Sequence, residues 1–565
     1  MKSEKQRLIT SLILLVVLLA AAAIVSVAAY QRTATKQNVN GGRTGLITGS
    51  GLPGTNAASN KGSQPPSTQK HSMKNGAPKG YGKNGQTSSF YGKRSGTAMQ
   101  QGSRANGNGF AQFGRRGTSS AQTTAQQIVV GVYGLLFLVV CASWLFLKRH
   151  RKILDDADST LTGWFVFAVL ATGFLARLAI APWISGHMDL SLFQNWAQMA
   201  ASHLFHVYQK SSIDYPPLYL YVLFVIGKLA TLPGLTNGYT WLLKLPAILC
   251  DCLTAWLLYR TAKRLHHEKA GWALLVIYLF NPAVAIDSTV WGQVDSVFTL
   301  LIVLAVTLLT ERKFLGASIV FALSVVMKPQ GLIFLPVLAY VLMKDGKIIH
   351  WLKSMVAFLA TIVLVTLPFS FQASGGAFWL IRLMRTTVSE YPFASVNAFN
   401  FFSLIGGNYQ AQSAVPFLLS YQVWGFVAII LVSILSLWII WKRGGSKAAA
   451  TGALIQISGV FTFASGMHER YLFPAIALAL LAFLYLKNKA YLYLAIGFSI
   501  TNFLNIFIVY YGSMNNEMTI GYHWPLILTS FCNVILFFWL LWLTLRGKEV
   551  PALASVDQKP IDRTF

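Results

Sequence analysis

Two carboxylates lie in one segment of a chain that is otherwise poor in acids. Asp189 and Asp214 both fall within residues 182–221, whereas the 565-residue chain has 18 Asp and Glu beside 46 Lys and Arg. Asp189 follows an apolar run long enough to cross a bilayer, so we expect partial desolvation to raise the pKa of its carboxyl group. A carboxylate of raised pKa suits a general base that accepts a proton from a hydroxyl group. The alternatives are a solvated loop residue or a helix cap, and Asp214 precedes two prolines, a common helix start.

An amide and two further acids surround a predicted turn between two apolar runs. Residues Trp291 to Asp295 read WGQVD, and Asp287 precedes them. Gln293 and Asp295 carry the groups needed to bind sugar hydroxyls or to position Asp189. Asp295 is predicted in or next to the membrane, where ionisable residues are rare and usually functional. A cap on the next helix is the structural alternative.

Cationic side chains recur at other predicted external turns and in a second large external loop. They are Lys328, Arg382, Arg385, His468 and Arg470. Positive groups at the membrane surface suit the stabilisation of a phosphate leaving group. Taken singly, these residues have a simpler explanation, because Glu469 lies beside Arg470 and is able to pair with it or with Lys328.

The composition places these residues in a multi-pass membrane protein. The chain is 54% hydrophobic and 11% charged, with a mean hydropathy of +0.52, whereas soluble domains are about 25% charged. Apolar runs separated by short basic loops predict an all-α protein with about 14 transmembrane helices. We divide it into an N-terminal anchor (1–30), a basic loop (31–127), a second span with its flank (128–152), a membrane domain (160–545) and a tail (546–565). A cleaved signal peptide is the alternative for the first segment.

The distribution of Lys and Arg predicts the orientation. With the N terminus in the cytoplasm, the short inside loops are all basic, as in the KRHRK sequence at 148–152, in agreement with the positive-inside rule. This orientation requires that residues 216–232 do not cross the membrane. We therefore predict a helix that lies in or on the outer leaflet, within a first external loop spanning 183–239. The C terminus is then cytoplasmic, and the polar turns face outward.

The basic loop 31–127 differs from the rest of the chain. It holds thirteen Lys or Arg and no acids, and it has too few aliphatic residues to form a core, which predicts disorder. Such a loop suits contact with anionic wall polymers or a simple spacer role. It lacks a folded reader of nucleic acid, so no nucleic-acid partner is expected.

Six short motifs in order resemble those of bacterial membrane glycosyltransferases of the GT-C superfamily, closest to the GPI-mannosyltransferase-like group. The motifs are GHMD at 186–189, DYPP at 214–217, WGQVD at 291–295, KPQG at 328–331, NAFN at 397–400 and HERY at 468–471. The resemblance covers residues 160–545 and implies a GT-C-like core with external juxtamembrane helices in the first loop. Many relatives have two adjacent acids in that loop, whereas here Met188 precedes Asp189, so a second acid has to come from Asp214 or Asp295.

The resemblance implies extracytoplasmic transfer of a hexose from a polyprenyl-phosphate donor to a hydroxyl of a glycan, glycolipid or protein, with inversion at the sugar. Mannose is a family-level guess. Asp189 is then the catalytic base, and no cofactor or metal is expected, because His and carboxylates show no ligand spacing. The predicted phosphate-binding set is the five cations named above. The predicted substrate-binding residues are His187, Asp214, Gln293, Asp295, Asn397 and Asn400.

Two other classes fit parts of the sequence. A transporter or lipid flippase also has many spans and intramembrane charges, but here the charges cluster on one predicted face. A wall-tethering protein built around residues 31–127 would not need Asp189. Deletion of that loop would abolish tethering and spare an enzymatic activity.

Overall fold

The computed structural model describes residues 2–43, 159–184, 187–210, 213–236, 238–373, 376–442 and 445–546. Gly186, the predicted span at 128–147 and the tail at 547–565 lie outside the described residues. The chain divides into two compact units, one of residues 1–38 with 120–565 and one of residues 39–119. Only residues 39–43 of the second unit are described, and the account below concerns the first.

The described chain is almost entirely helical, with one pair of two-residue strands, in agreement with the predicted all-α membrane fold. The first helix continues through residues 31–43, which were expected to belong to the basic loop. The helices are α1 Lys2–Arg43, α2 Ser159–Ile180, α3 Met188–His203, α4 Val207–Lys210, α5 Pro217–Leu229, α6 Tyr239–Arg264, α7 Glu268–Leu279, α8 Pro282–Ala285, α9 Asp295–Thr310, α10 Phe314–Met327, α11 Leu335–Asp345, α12 Ile348–Ser370, α13 Trp379–Ser389, α14 Phe401–Leu404, α15 Tyr421–Lys442, α16 Ala449–Phe463, α17 Pro474–Leu486, α18 Ala490–Met514 and α19 Trp524–Arg546. The strands are β1 Ser395–Val396 and β2 Met467–His468.

Seven of the described helices are long and apolar enough to cross a membrane, so the chain is a multi-pass membrane protein. They are α1, α2, α6, α12, α15, α18 and α19. An eighth span results if α7 and the segment Pro282–Trp291, bent by 44° relative to each other, are taken together. Within that segment, residues Ile286–Trp291 form a single π-helical stretch.

The predicted count of about 14 full spans is not confirmed. Predicted spans at 294–310, 314–327 and 470–486 are helices of 16, 14 and 13 residues. At about 1.5 Å per residue, the longest of these reaches about 24 Å, short of a hydrocarbon core of about 30 Å. Hydropathy alone does not separate them from full spans, because they are apolar throughout. Helix α5, predicted to lie on the outer leaflet, has 13 residues and is likewise too short to cross.

The short apolar helices form the centre of the bundle, and several long ones surround them. Nearly every residue of α16 and α17 is buried. By contrast, only 6% of the apolar window of α12 is buried within the protein. Helices that are apolar on all sides are buried in protein or face lipid, so α12 is a lipid-facing helix.

The two strands join distant parts of the chain in a mostly buried pair. They pair in parallel, with Ser395 opposite Met467 and Val396 opposite His468. This pairing holds the predicted second external loop against the turn that carries the HERY motif. The polar turns at 291–295 and 328–334 lie at the starts of the helices that follow them.

Candidate functional site

A cavity of about 790 Å³ forms where these polar turns meet. Its walls come from α3, the turn before α5, the turns before α9 and after α10, the end of α13, the side of α15 and the turn before α17. It brings together half of the residues that the sequence singled out. They are Asp189, Asp214, Gln293, Lys328, His468 and Arg470.

Asp189 is held in place by three side chains. It lies in the first turn of α3, directly after the N-cap residue His187. Trp291 Nε1 donates to Asp189 Oδ2 at 3.0 Å, and Gln293 Nε2 donates to the same oxygen. His187 Nδ1 lies 3.2 Å from that oxygen, and its ring stacks on Trp291 with centroids 4.5 Å apart. The WGQVD turn thus positions Asp189, one of the two roles expected for it.

The expected rise in the pKa of Asp189 is wrong. Burial alone would raise the pKa of this carboxyl, but the hydrogen bonds from His187 and Trp291 and the charge of Arg470 outweigh it and lower the pKa below its ordinary value. Hydrogen bonds and positive charges both favour the ionised form of an acid. Asp189 is therefore a fixed carboxylate that accepts hydrogen bonds.

A second carboxylate, Asp295, joins two of the predicted cations. Lys328 Nζ lies 2.7 Å from Asp295 Oδ1, and Arg470 Nε lies 3.4 Å from Asp295 Oδ2. The NH1 group of Arg470 also pairs with Glu469, the structural partner that the sequence suggested for it. Both Asp295 and Lys328 are buried. The cations at this site are therefore largely neutralised by carboxylates.

His468 does not contribute a positive charge. It is buried beside the rings of Tyr391 and Tyr471, with centroids 4.7 Å and 5.0 Å away. Burial and the neighbouring charge of Arg470 lower the pKa of His468 to about 3. Its imidazole is neutral at physiological pH and is able to exchange hydrogen bonds with a polar ligand.

Six predicted site residues lie outside the cavity wall: His187 and Asp295, which contact wall residues, and Arg382, Arg385, Asn397 and Asn400. Arg382 and Arg385 are exposed on α13, so they do not form one phosphate-binding set with Lys328 and Arg470. The Asn397 amide donates to Met518 O at 2.8 Å and accepts from the Ile520 amide at 3.0 Å.

The Asn400 side chain accepts from the Ser403 amide at 3.1 Å and donates to Phe461 O at 3.1 Å. Both asparagines of the NAFN motif therefore hold loops together in this structure. Their predicted role in substrate binding stays a prediction.

Sequence reasoning missed an acid pair in the cavity wall. Glu390, at the end of α13, shares a hydrogen bond with the carboxyl group of Asp214. Partial burial and the charge of Asp214 raise the pKa of Glu390 to about 7, and burial raises the pKa of Asp214. Two carboxyl groups in contact do not both ionise readily, because like charges repel. Only the position of Glu390 in a predicted external loop pointed to it.

Two buried cations outside the cavity stabilise its surroundings. Arg177 NH1 lies 2.7 Å from Asp251 Oδ2, with both side chains almost fully buried. Lys244, about two helical turns before Asp251 on α6, donates to the carbonyls of Ala181 and Ile184 at 3.0 Å and 2.6 Å. These contacts connect α6 to α2 and to the chain that leads into α3.

The cavity wall combines hydrogen-bonding groups, aromatic faces and an apolar part. Carboxylates and amides bind hydroxyl groups, and aromatic rings pack against the apolar faces of sugars. Phe426 and Ile429 come from the membrane span α15, and Phe426 is 63% exposed, so the wall extends to the lipid-facing surface. The amides and rings are Gln293, Gln330, Gln412, Gln422, Trp196, Tyr215, Tyr391 and Phe393. Among the described residues, no cluster of three or more His, Cys, Asp or Glu is arranged to hold a metal ion.

The fold and the cavity define a multi-pass membrane protein with a carboxylate-bearing polar site beside its spans. A family model described as the GPI transamidase subunit PIG-U matches residues 189–398. The matched segment begins at Asp189 and takes in the turn at 291–295, Lys328 and α13. It covers less than half of the chain and shows a similarity to that family. A search of curated proteins found no match to the chain.

The predicted function, hexose transfer from a polyprenyl phosphate, is therefore wrong. The family that matches the site-bearing segment is described as a subunit of a transamidase, which is not a sugar transferase. The alternatives of a transporter, a lipid flippase or a wall-tethering protein do not match that family either.

Proposed function

We propose that the chain is a membrane subunit that binds the head group of a phosphate-containing glycolipid in the cavity. In this proposal it works within a complex of membrane proteins that acts on the lipid. The similarity to a GPI transamidase subunit over residues 189–398 supports both parts, because glycosylphosphatidylinositol (GPI) is a lipid with sugars and phosphate in its head group. The proposal assigns no bond-making step to the chain.

The observation that carries the proposal is the position of Asp189, whose carboxyl group is held by three side chains in the wall of a cavity that reaches a membrane span. The Oδ2 atom of Asp189 is contacted by Trp291, Gln293 and His187. The other carboxylate oxygen, Oδ1, is then available to accept hydrogen bonds from sugar hydroxyls. A preorganised acceptor binds without the cost of ordering a flexible side chain.

Lys328 and Arg470 are placed to meet a phosphate group. Both line the cavity and share the carboxylate of Asp295. A phosphate has oxygens for both cations, and hydrogen bonds between ionised groups are stronger than neutral ones. The apolar residues Phe426 and Ile429 of α15 suit the first part of a hydrocarbon chain.

We also propose a helix arrangement and an orientation of the chain in the membrane. We propose that residues 160–545 form a GT-C-like arrangement of helices and that both termini are cytoplasmic. The cavity is then extracytoplasmic. The basic loops at one predicted face support this orientation through the positive-inside rule.

The experiment is photo-crosslinking of the purified full chain in lipid nanodiscs with a photoactivatable GPI analogue. A phosphatidylinositol analogue with the same photoactivatable chain, which lacks the sugars, is the comparison probe. We expect stronger labelling by the GPI analogue, with the labelled peptides at 189–216, 293–330 or 387–471. Equal labelling by the two probes would show that the cavity does not recognise sugars.

Asp189→Asn tests the role of the carboxylate directly. Hydrogen bonds to a charged group contribute about 1.5–3 kcal/mol, so we expect apparent affinity for the GPI analogue to fall about 10-fold to 150-fold. Asp345→Asn is the matched control, because Asp345 is paired with Arg312 and His350 away from the cavity. Unchanged affinity in Asp189→Asn would overturn the proposal.

A further inference from the structure

Helix α13 presents two unpaired arginines and exposed apolar side chains at the end of a lipid-facing span. It begins nine residues after α12 ends at Ser370. Arg382 and Arg385 are both exposed, and residues three apart lie on the same side of a helix. Within the described part of the chain, no carboxylate pairs with either guanidinium group.

The position of α13 at the membrane surface follows from its contacts with α12. Only 6% of the apolar window of α12 is buried in the protein, so lipid surrounds this span and its end at Ser370 is at the membrane boundary. Trp379 Nε1 donates to Ser370 Oγ at 2.9 Å. This bond holds the first turn of α13 at the depth where the span ends.

The face of α13 that turns away from the protein is amphipathic. Trp379 is buried, and its ring lies 5.2 Å from that of Tyr208. Ile381 and Val388 are 62% and 66% exposed and lie on one edge of the helix, next to Arg385; Val388, near the end of the helix, also lines the cavity. An apolar edge beside arginines is the arrangement of helices that lie in the plane of the membrane interface.

The apolar side chains continue across the connection from α12. Phe371 and Phe378 are 76% and 69% exposed. Large exposed aromatic groups are costly in water and favourable at a membrane interface, where Trp, Tyr and Phe accumulate. Exposed aromatic groups thus lie directly after the lipid-facing span and directly before α13.

We propose that α13 lies in the membrane interface and that Arg382 and Arg385 bind the head groups of anionic phospholipids of the surrounding bilayer. Guanidinium groups form paired hydrogen bonds with phosphate. Basic residues next to a membrane also attract anionic lipids over the Debye length. Charge complementarity and the continuity with α12 favour lipid over a soluble partner.

Lipid binding at α13 reaches the cavity wall through the other end of the helix. Thr387 Oγ1 donates to Asp214 O at 2.6 Å, and residues 387–390 line the cavity. The membrane interface therefore positions one wall of the cavity. This inference does not depend on which ligand the cavity binds.

Depth-dependent fluorescence quenching tests the proposal on the full chain in nanodiscs. A cysteine-free variant carries Ile381→Cys labelled with an environment-sensitive fluorophore, and the lipids are phosphatidylcholine with added phosphatidylglycerol. One of the two lipids bears a spin label near its head group. We expect strong quenching at position 381, and stronger quenching by spin-labelled phosphatidylglycerol than by spin-labelled phosphatidylcholine.

The arginines are then neutralised with a matched control. We expect Arg382→Gln/Arg385→Gln to remove the preference for phosphatidylglycerol, with about a fivefold fall per arginine at low salt. Arg382→Lys/Arg385→Lys, which keeps the charges, should retain most of it. If the two spin-labelled lipids quench equally when both arginines are present, the assignment to anionic lipid is overturned. A label at 381 that neither lipid quenches would show that α13 is not in the interface, as expected if it docks a soluble partner.

Discussion

Replacement of Asp295 by Asn is expected to destabilise the site, because it leaves the buried Lys328 without its carboxylate and leaves Arg470 with Glu469 alone. Asp295 is 2% exposed and Lys328 is 4% exposed. The carboxylate oxygens lie 2.7 Å from Lys328 Nζ and 3.4 Å from Arg470 Nε. Asn has nearly the same shape as Asp, so packing is preserved and only the charge is removed.

The magnitude follows from the distances and the burial. At an effective dielectric constant of about 20, the two attractions are about 6 and 5 kcal/mol. Desolvation of the three charges cancels much of this gain in the native protein, but removal of one partner from a buried pair typically costs about 3–5 kcal/mol. With about 2.1 cal/mol/K of unfolding entropy per residue, this cost corresponds to a fall of about 3–4 °C in Tm for a chain of this size.

The assay is thermal unfolding of the purified chain in detergent, followed by size-exclusion fluorescence. A double-mutant cycle with Lys328→Met separates charge from packing. Asp295→Asn leaves Lys328 uncompensated, and Lys328→Met leaves Asp295 with only Arg470 at 3.4 Å, whereas the double variant leaves Arg470 paired with Glu469. We expect the double variant to be more stable than the sum of the single losses by about 1–3 kcal/mol. Additive losses would refute the shared-carboxylate account.

Three further variants test separate parts of the structure. Glu390, whose pKa burial and Asp214 raise from 4.5 to about 7, binds more protons in the folded than in the unfolded state between these values. The free energy of unfolding should therefore fall as pH rises through that window. Glu390→Gln should flatten the pH dependence of Tm. An unchanged slope in this variant would count against the acid pair. Gly292→Ala should lower both Tm and crosslinking to the GPI analogue. Gly292 has φ +87°, and an added Cβ would lie 2.9 Å from Leu190 Cδ1. Unchanged Tm and unchanged crosslinking would contradict this steric explanation. Arg177→Met should cost about 3–5 kcal/mol by leaving Asp251 unpaired, and Asp251→Leu in the same chain should recover most of that loss, both read as Tm.

The sequence determined the class of the fold, because hydropathy is a sum over neighbouring residues. Runs of apolar residues predicted an all-α membrane protein, and the helices α2, α6, α12, α15, α18 and α19 occur where long runs were found. The same sum did not separate α16 and α17, which are buried inside the bundle, from spans that face lipid. That distinction depends on the neighbours of each helix in space.

The sequence also located the polar turns, and the tertiary structure decided what their residues do. The WGQVD turn was predicted either to bind sugar or to position Asp189, and Trp291 and Gln293 are found donating to Asp189 from about a hundred positions away. The direction of the pKa shift of Asp189 depended on those donors, and local reasoning from its membrane position had the wrong sign.

Arg382 and Arg385 show the same division between composition and geometry. Their charge suggested phosphate binding, but both are exposed on α13 and neither lines the cavity. The strand pair that brings His468 and Arg470 to the cavity joins residues 395–396 to 467–468. Local sequence specified residue types and helix boundaries here, whereas burial, ion pairing and protonation were decided by long-range contacts, because electrostatic energies depend on distances in space and not along the chain.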